Sequence, residues 1–129
     1  MASLNQGTIK NNIYRTILEL ISFLKADVIK DATIQSDLNF IENIFSMMNS
    51  DVLTKHVVKH VVPHEKKIRK RDVTFFTSSK NRNIFSIVPE EKYAYLSNLI
   101  KDGKVNEENM TTIFDYFESL LELGKLVTM

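Results

Sequence analysis

Apolar residues recur every three or four positions along most of the chain, and this spacing constrains the fold more than any other feature of the sequence. An α-helix gathers residues at that spacing onto one face, whereas a half-buried strand needs strict alternation. Alternation occurs over residues 83–88 alone, inside a stretch of loop composition at 77–88. The clearest stripes are Ile9, Ile13, Ile17, Leu20, Ile21 and Leu24, then Ile34, Leu38, Ile41, Phe45 and Met48, and then Met110, Ile113, Phe114, Phe117, Leu120 and Leu121.

The length of 129 residues fits one domain, and we predict an all-α, single-domain bundle of five to six helices. Its predicted parts are an N-terminal helical hairpin over 1–50, a basic helix pair over 51–76 kinked at Pro63, and a C-terminal helical hairpin over 89–127. Capping residues are predicted at Thr8, Ser50 or Asp51, and Asn106, with Gly103 ending a helix. Most phenylalanines fall on the apolar stripes and are expected in the core: Phe23, Phe40, Phe45, Phe75, Phe76, Phe114 and Phe117.

The composition excludes several classes of function. The chain has no cysteine, which excludes disulfides, a thiol nucleophile, a thiolate zinc site and an iron–sulfur centre. Its three glycines exclude a glycine-rich phosphate-binding loop, and no motif places a serine nucleophile beside a histidine. No apolar run reaches the ~18 residues of a membrane span, and the N-terminus lacks a signal-peptide core. We expect a protein that is not an enzyme, needs no cofactor and does not enter a membrane.

Three histidines that could bind a metal ion, and one aspartate that could be buried, lie near Pro63 in the sequence. His56, His60 and His64 are four residues apart, and two histidines at that spacing can share a metal ion. Pro63 interrupts the column and no cysteine completes it, so we expect structural histidines and no metal site. Asp72 falls on the apolar side of the predicted helix, where a carboxylate needs a partner. We expect a structural contact to His64 or to an arginine.

Charge is distributed unevenly along the sequence. Residues 1–54 carry 4 basic and 6 acidic side chains, residues 55–82 carry 9 and 2, and residues 83–129 carry 4 and 8. The candidate binding residues lie in the basic middle: Lys55, Lys59, Lys66, Lys67, Arg69, Lys70 and Arg71. A helical wheel places Val57, Val61, Ile68 and Phe75 on its buried face and Lys55, Lys59, Lys66 and Lys70 opposite them. This basic ridge is continuous if Pro63 leaves the helical phase unchanged, and is otherwise two shorter patches.

The basic ridge has two functional interpretations beside that of a solvated helix face. Lysines suit contacts with phosphates, which need charge and reach, and would bind nucleic acid without regard to its sequence. The same ridge could instead dock on an acidic protein surface, including the acidic C-terminal half of a second copy of this chain. The sequence therefore leaves three possible partners for the basic ridge: another protein, a second copy of this chain or a nucleic acid.

Residues 60–127 contain a pattern of residue types that also occurs in other proteins. Its positions are His60, Val61, Val62, Pro63, His64, Ile68, Arg71, Asp72, Phe75 and Phe76, followed by Ile87, Val88, Pro89, Glu90, Leu96, Leu99, Phe114, Tyr116 and Leu120. This pattern resembles uncharacterised small helical proteins of nucleocytoplasmic large DNA viruses. The resemblance implies that His60, Pro63, His64, Arg71 and Asp72 share a structural core, but it implies no activity.

The expected function combines these observations. We expect a non-enzymatic helical assembly or adaptor protein of a large DNA virus, acting through protein–protein contacts in the host cytoplasm or nucleus or in the virion. The alternative is a sequence-independent nucleic-acid-binding protein that uses the ridge from Lys55 to Arg71.

Overall fold

The computed structural model describes residues 5–28, 32–77 and 90–127, and these residues form helices and turns without a strand. The all-α prediction for a single-domain bundle is confirmed. The helices are α1 (Gln6–Phe23), α2 (Ala32–Met47), α3 (Ser50–His60), α4 (Glu65–Arg69), α5 (Thr74–Thr77), α6 (Glu90–Lys101) and α7 (Glu107–Leu126). A π-helical turn, Leu24–Val28, extends α1, and a 3-10 turn, Val62–His64, joins α3 to α4.

Asparagine side chains cap the N-termini of three of these helices. The Asn5 side chain accepts hydrogen bonds from the Gly7 and Thr8 amides, so α1 begins two residues before the predicted cap at Thr8. The Asn49 carbonyl oxygen accepts from the Asp51 amide at 2.7 Å, where Ser50 or Asp51 was the expected cap. Asn106 caps α7 as predicted. Each amide oxygen satisfies a backbone donor that the first helical turn leaves unpaired.

The core has two clusters that share α1 and α3. The larger one lies where α7 packs along α1, α3 and α4, and it contains Phe75, Phe76, Phe114 and Phe117. The rings of Phe75 and Phe117 meet edge to face with centroids 5.2 Å apart, a favourable aromatic arrangement. The smaller cluster joins α1, α2 and α3 through five buried side chains: Ile21, Leu38, Ile41, Phe45 and Leu53.

Two predictions from the sequence are wrong, one about the side chain of Phe40 and one about the helix after Pro63. The side chain of Phe40 is 65% exposed and does not belong to the core. The helix expected to run from Pro63 to Phe76 is broken, because α4 ends at Arg69 and α5 begins only at Thr74. Gly103 has a φ of 70°, as the predicted left-handed helix end requires.

A tight turn at residues 70–74 causes the break. Arg71 adopts a φ of 54°, a left-handed conformation that few residues other than glycine take. The Asp72 carboxylate then accepts hydrogen bonds from the Thr74 amide at 2.9 Å and the Thr74 hydroxyl at 2.8 Å. Asp72 therefore has a structural role, but its partner is Thr74 rather than His64 or an arginine.

Some sequence predictions lie outside the described residues. They are the loop at 77–88 beyond Thr77, the alternating segment 83–88, and the resemblance positions Ile87, Val88 and Pro89.

Candidate functional site

Four lysines of the basic middle are exposed. Lys55 and Lys59 lie on α3, Lys66 lies on α4, and Lys70 follows α4 directly. We call these four residues the lysine surface. The opposite face is buried as predicted, with relative exposures of 1% for Val57, 3% for Val61 and 0% for Ile68 and Phe75. The periodicity thus identifies correctly which side of this segment faces solvent.

The lysine surface consists of two pairs rather than one continuous helical ridge. Lys55 and Lys59 are one turn apart on α3, and Lys66 and Lys70 are similarly spaced around α4. The 3-10 turn at Val62–His64 lies between the pairs. A 3-10 turn advances by ~120° per residue against ~100° in an α-helix, so the phase shifts by ~60° over three residues.

Arg69 and Arg71 of the basic middle are engaged by acidic side chains of the same chain. Arg69 forms ion pairs with Glu65 at 2.8 Å and with Glu122 of α7. Arg71 donates to the Thr111 carbonyl at 2.8 Å, to Asp115 at 2.6 Å and to Glu118 at 3.1 Å. The pairing of the basic middle with the acidic C-terminal half, which we considered between copies, thus occurs in part within one chain.

Arg71 is also fixed by its apolar neighbour. Its guanidinium carbon lies 5.8 Å from the centroid of the Phe114 ring. The hydrogen bond to Asp115 and the charge of Glu118 raise the pKa of Arg71 further above its ordinary value. Because the guanidinium ties the turn at residues 70–74 to α7, its role in this arrangement is structural.

None of the four lysines of the lysine surface forms an ion pair with a carboxylate in the described ranges. The acidic residues along the segment are engaged elsewhere: Asp51 pairs with Lys10 at 2.7 Å, and Glu65 pairs with Arg69 and with Lys125. Lys67, the remaining cation of the segment, is half-buried and donates to the Thr74 hydroxyl at 3.2 Å. Between Lys55 and Arg71, the positive charge that is available to a partner therefore lies on the lysine surface.

The three histidines are half-buried on the same segment. The rings of His56 and His60 lie with centroids 4.8 Å apart, and His64 contacts the edge of Phe75 at 5.7 Å. Burial lowers the pKa of His64, and the charge of Lys67 lowers it further. Among the residues described, no three His, Asp or Glu side chains are grouped in a way that could hold a metal ion.

A shallow acidic groove of about 680 Å³ lies between α1 and α7. Its lining includes Arg15, Glu19, Asp115, Glu118 and Glu122. The groove is open to solvent, and the three carboxylates from α7 include the partners of Arg69 and Arg71. Its acidity is thus partly neutralised within the chain.

An exposed apolar face on α2 is the feature that sequence reasoning missed. Phe40 is 65% exposed and Met47 is 84% exposed, and both lie on the side of α2 opposite its buried residues. Asn43 is exposed and Ile44 is half-buried between them on the same face. We call these four residues the α2 surface. The signal was present in the sequence, because the large apolar residues of α2 span about half of its circumference and extend beyond the stripe that faces the core.

The α2 surface is also uncharged. Between Leu38 and Ser50 the sequence contains one charged residue, Glu42. Glu42 is half-buried and accepts hydrogen bonds from Lys25 at 2.8 Å and from the Ser22 hydroxyl at 2.9 Å. These contacts lower the pKa of Glu42, that from Lys25 most strongly. Asp37 and Asp51 flank this stretch in the sequence. A face of exposed Phe and Met that itself carries no charge is typical of the centre of a protein–protein interface.

Comparisons of this chain with models of protein families, with curated proteins and with solved structures found no match. Within the described ranges, every helix is too short or too polar to span a lipid bilayer.

Proposed function

We propose that this chain is a non-enzymatic helical assembly or adaptor protein that acts through protein–protein contacts. The observation that carries the proposal is the α2 surface, where the large apolar side chains of Phe40 and Met47 extend into solvent. Exposing two large apolar side chains on one helix face costs solvation free energy that a partner would recover.

The resemblance of residues 60–127 to small proteins of large DNA viruses makes such a virus the proposed source. The chain would then act in the cytoplasm or nucleus of the host cell or as a component of the virion. This part of the proposal rests on the sequence pattern alone.

Site-specific photo-crosslinking tests the assembly function. A photo-reactive amino acid is placed at Met47 in one variant and at Val73 in a control, in the cells that naturally produce the chain. Val73 suits the control because it is also an exposed aliphatic residue, at 45%, but lies in the turn before α5. We expect a covalent protein adduct from position 47 and none from position 73. Equal adducts from both positions, or none from either, would contradict the proposal.

A second candidate function is sequence-independent binding of nucleic acid by the lysine surface. It is favoured by one observation: Lys55, Lys59, Lys66 and Lys70 are exposed and lack carboxylate partners among the described residues, whereas the neighbouring arginines are engaged within the chain. Four exposed ammonium groups can contact phosphates without selecting bases.

Matched charge neutralisation tests this second function. Lys66→Gln with Lys70→Gln removes two charges from the lysine surface, and Lys101→Gln with Lys104→Gln removes two exposed charges elsewhere. If the lysine surface binds DNA, the first pair weakens binding to any DNA sequence and flattens the slope of log affinity against log salt by ~0.9 per lost contact. The control pair should leave that slope unchanged. Equal effects of both pairs, or no DNA affinity in the unaltered chain, would reject this function.

A further inference from the structure

We propose that the partner of the α2 surface is a second copy of this chain, with the two α2 helices packed antiparallel about a two-fold axis. This inference rests on the proposed assembly function and specifies its partner. The charge, the register and the size of the α2 surface support this pairing.

Charge favours self-pairing at this place. In a two-fold interface the same patch meets itself, so a charged patch repels its own copy while an uncharged one does not. The α2 surface lies in a stretch with Glu42 as its single charge, and Glu42 is engaged by Lys25 within the chain. The lysine surface fails the same criterion, because its four exposed lysines would face four others.

The spacing of the residues sets the register. Phe40 and Met47 are seven residues apart, or two helical turns, on one face of α2. A two-fold axis near Asn43 and Ile44 places Phe40 of each copy against Met47 of the other. The two contacts are equivalent by symmetry, and each joins an aromatic ring to a thioether, which is a favourable contact.

The size of the α2 surface predicts a weak dimer. The helix has 16 residues and is ~24 Å long, so one face of it covers less than the ~800 Å² per partner of a standard interface. We therefore expect monomer and dimer to exchange, with the dimer favoured at high concentration, as at a site of assembly.

Sedimentation of the purified full chain tests the pairing. Over about 10 μM to about 1 mM, the average mass should rise from the 14.9 kDa of one chain toward twice that value. Phe40→Lys and Met47→Glu should each weaken association by about tenfold or more, because each buries a charge against an apolar side chain. Val73→Glu, an equally polar change at an exposed position elsewhere, should not. A chain that stays monomeric at the highest concentration would overturn the inference.

Mixing the two charged variants tests the antiparallel register. In a mixed dimer, the lysine at position 40 of one copy lies opposite the glutamate at position 47 of the other, and the second contact remains Phe40 against Met47. The equimolar mixture should therefore associate more tightly than either variant alone. No gain on mixing would overturn the antiparallel pairing. Circular dichroism of each variant checks that the bundle is intact.

The outcome for self-pairing can be separated from that for the assembly function. A monomeric chain that still forms an adduct specific to position 47, with a mass other than twice that of the chain, would overturn self-pairing while the assembly function stands. If the chain neither self-associates nor forms an adduct at position 47, both the self-pairing and the proposed assembly function are wrong.

Discussion

The guanidinium of Arg71 donates to the carboxylate of Asp115 at 2.6 Å across 44 residues of sequence. This contact joins the left-handed turn after α4 to the middle of α7. The most basic and the most acidic parts of the chain therefore meet inside one molecule, and Arg71 is better described as a structural cation than as a binding residue.

Replacing Arg71 by Gln should destabilise the bundle. The change removes the charge-assisted hydrogen bonds to Asp115 and Glu118, and we expect a loss of about 1–2 kcal/mol in the free energy of unfolding, allowing for partial exposure. Lys70→Gln is the matched control, since Lys70 is exposed and forms no ion pair in the described ranges. Urea unfolding measures both changes. Equal stability of the two variants would contradict the structural role of Arg71.

Gly124 should resist replacement by Ala although alanine favours helices. A Cβ at this position of α7 would lie 2.8 Å from Cγ2 of Val62 and 3.2 Å from Cγ1 of Val57. Overpacking costs about 1–3 kcal/mol, of which the gain in helix propensity offsets ~1 kcal/mol, so we expect Gly124→Ala to lower the free energy of unfolding by up to about 2 kcal/mol. Combining it with Val62→Ala should recover part of the loss in thermal unfolding. Strict additivity of the two changes would show that the contact does not limit packing here.

Phe75 and Phe40 should differ sharply in their contribution to stability. Phe75 is fully buried among aromatic rings, so Phe75→Ala should cost about 3–5 kcal/mol. Phe40→Ala removes a side chain that is 65% exposed and should change the stability of the monomer by about 0.5 kcal/mol or less. Chemical unfolding at low protein concentration compares them. A large loss of stability from Phe40→Ala would contradict the exposed position of Phe40 on α2.

The pH dependence of stability should contain a contribution from His64. Burial and the charge of Lys67 lower the pKa of His64 in the folded chain, so the unfolded chain binds the proton first as the pH falls. The bundle should therefore lose stability as the pH falls below ~6.5, the ordinary pKa of histidine, and the loss should level off below the lowered pKa of the folded state.

The variant His64→Gln isolates this contribution. Its melting temperature should fall less between pH 7.5 and pH 5.5 than that of the unaltered chain. An unchanged pH dependence would assign the effect to other groups.

Periodicity predicted the helices and the buried face of the basic segment, but it could not reveal the break at residues 70–74. Ile68 and Phe75 are seven residues apart and keep the same phase, so the apolar pattern continues across a turn that leaves the helix. The break depends on the local hydrogen bonds that Thr74 donates to the Asp72 carboxylate and on the left-handed Arg71. Such features carry little signal in hydrophobicity.

The candidate sites were predictable to different extents. Exposure of the lysine surface follows from the buried positions opposite it, which the sequence places correctly. The engagement of Arg69 by Glu122 joins residues 53 positions apart and depends on where α7 packs. The α2 surface was missed because Phe40 was assigned to the core together with the other phenylalanines, although it lies off the stripe of Leu38, Ile41 and Phe45 that packs on α1 and α3.

The asparagine caps have a consequence for the way the chain responds to acid. Asn5, Asn49 and Asn106 cap α1, α3 and α7 with neutral amides that do not titrate. The turn at residues 70–74 depends instead on the carboxylate of Asp72, whose pKa is lowered by the hydrogen bonds that it accepts from the Thr74 amide and hydroxyl. Protonation of Asp72 in strong acid should therefore loosen the connection between α4 and α5, next to Lys66 and Lys70, while the asparagine caps of the three long helices keep their hydrogen bonds.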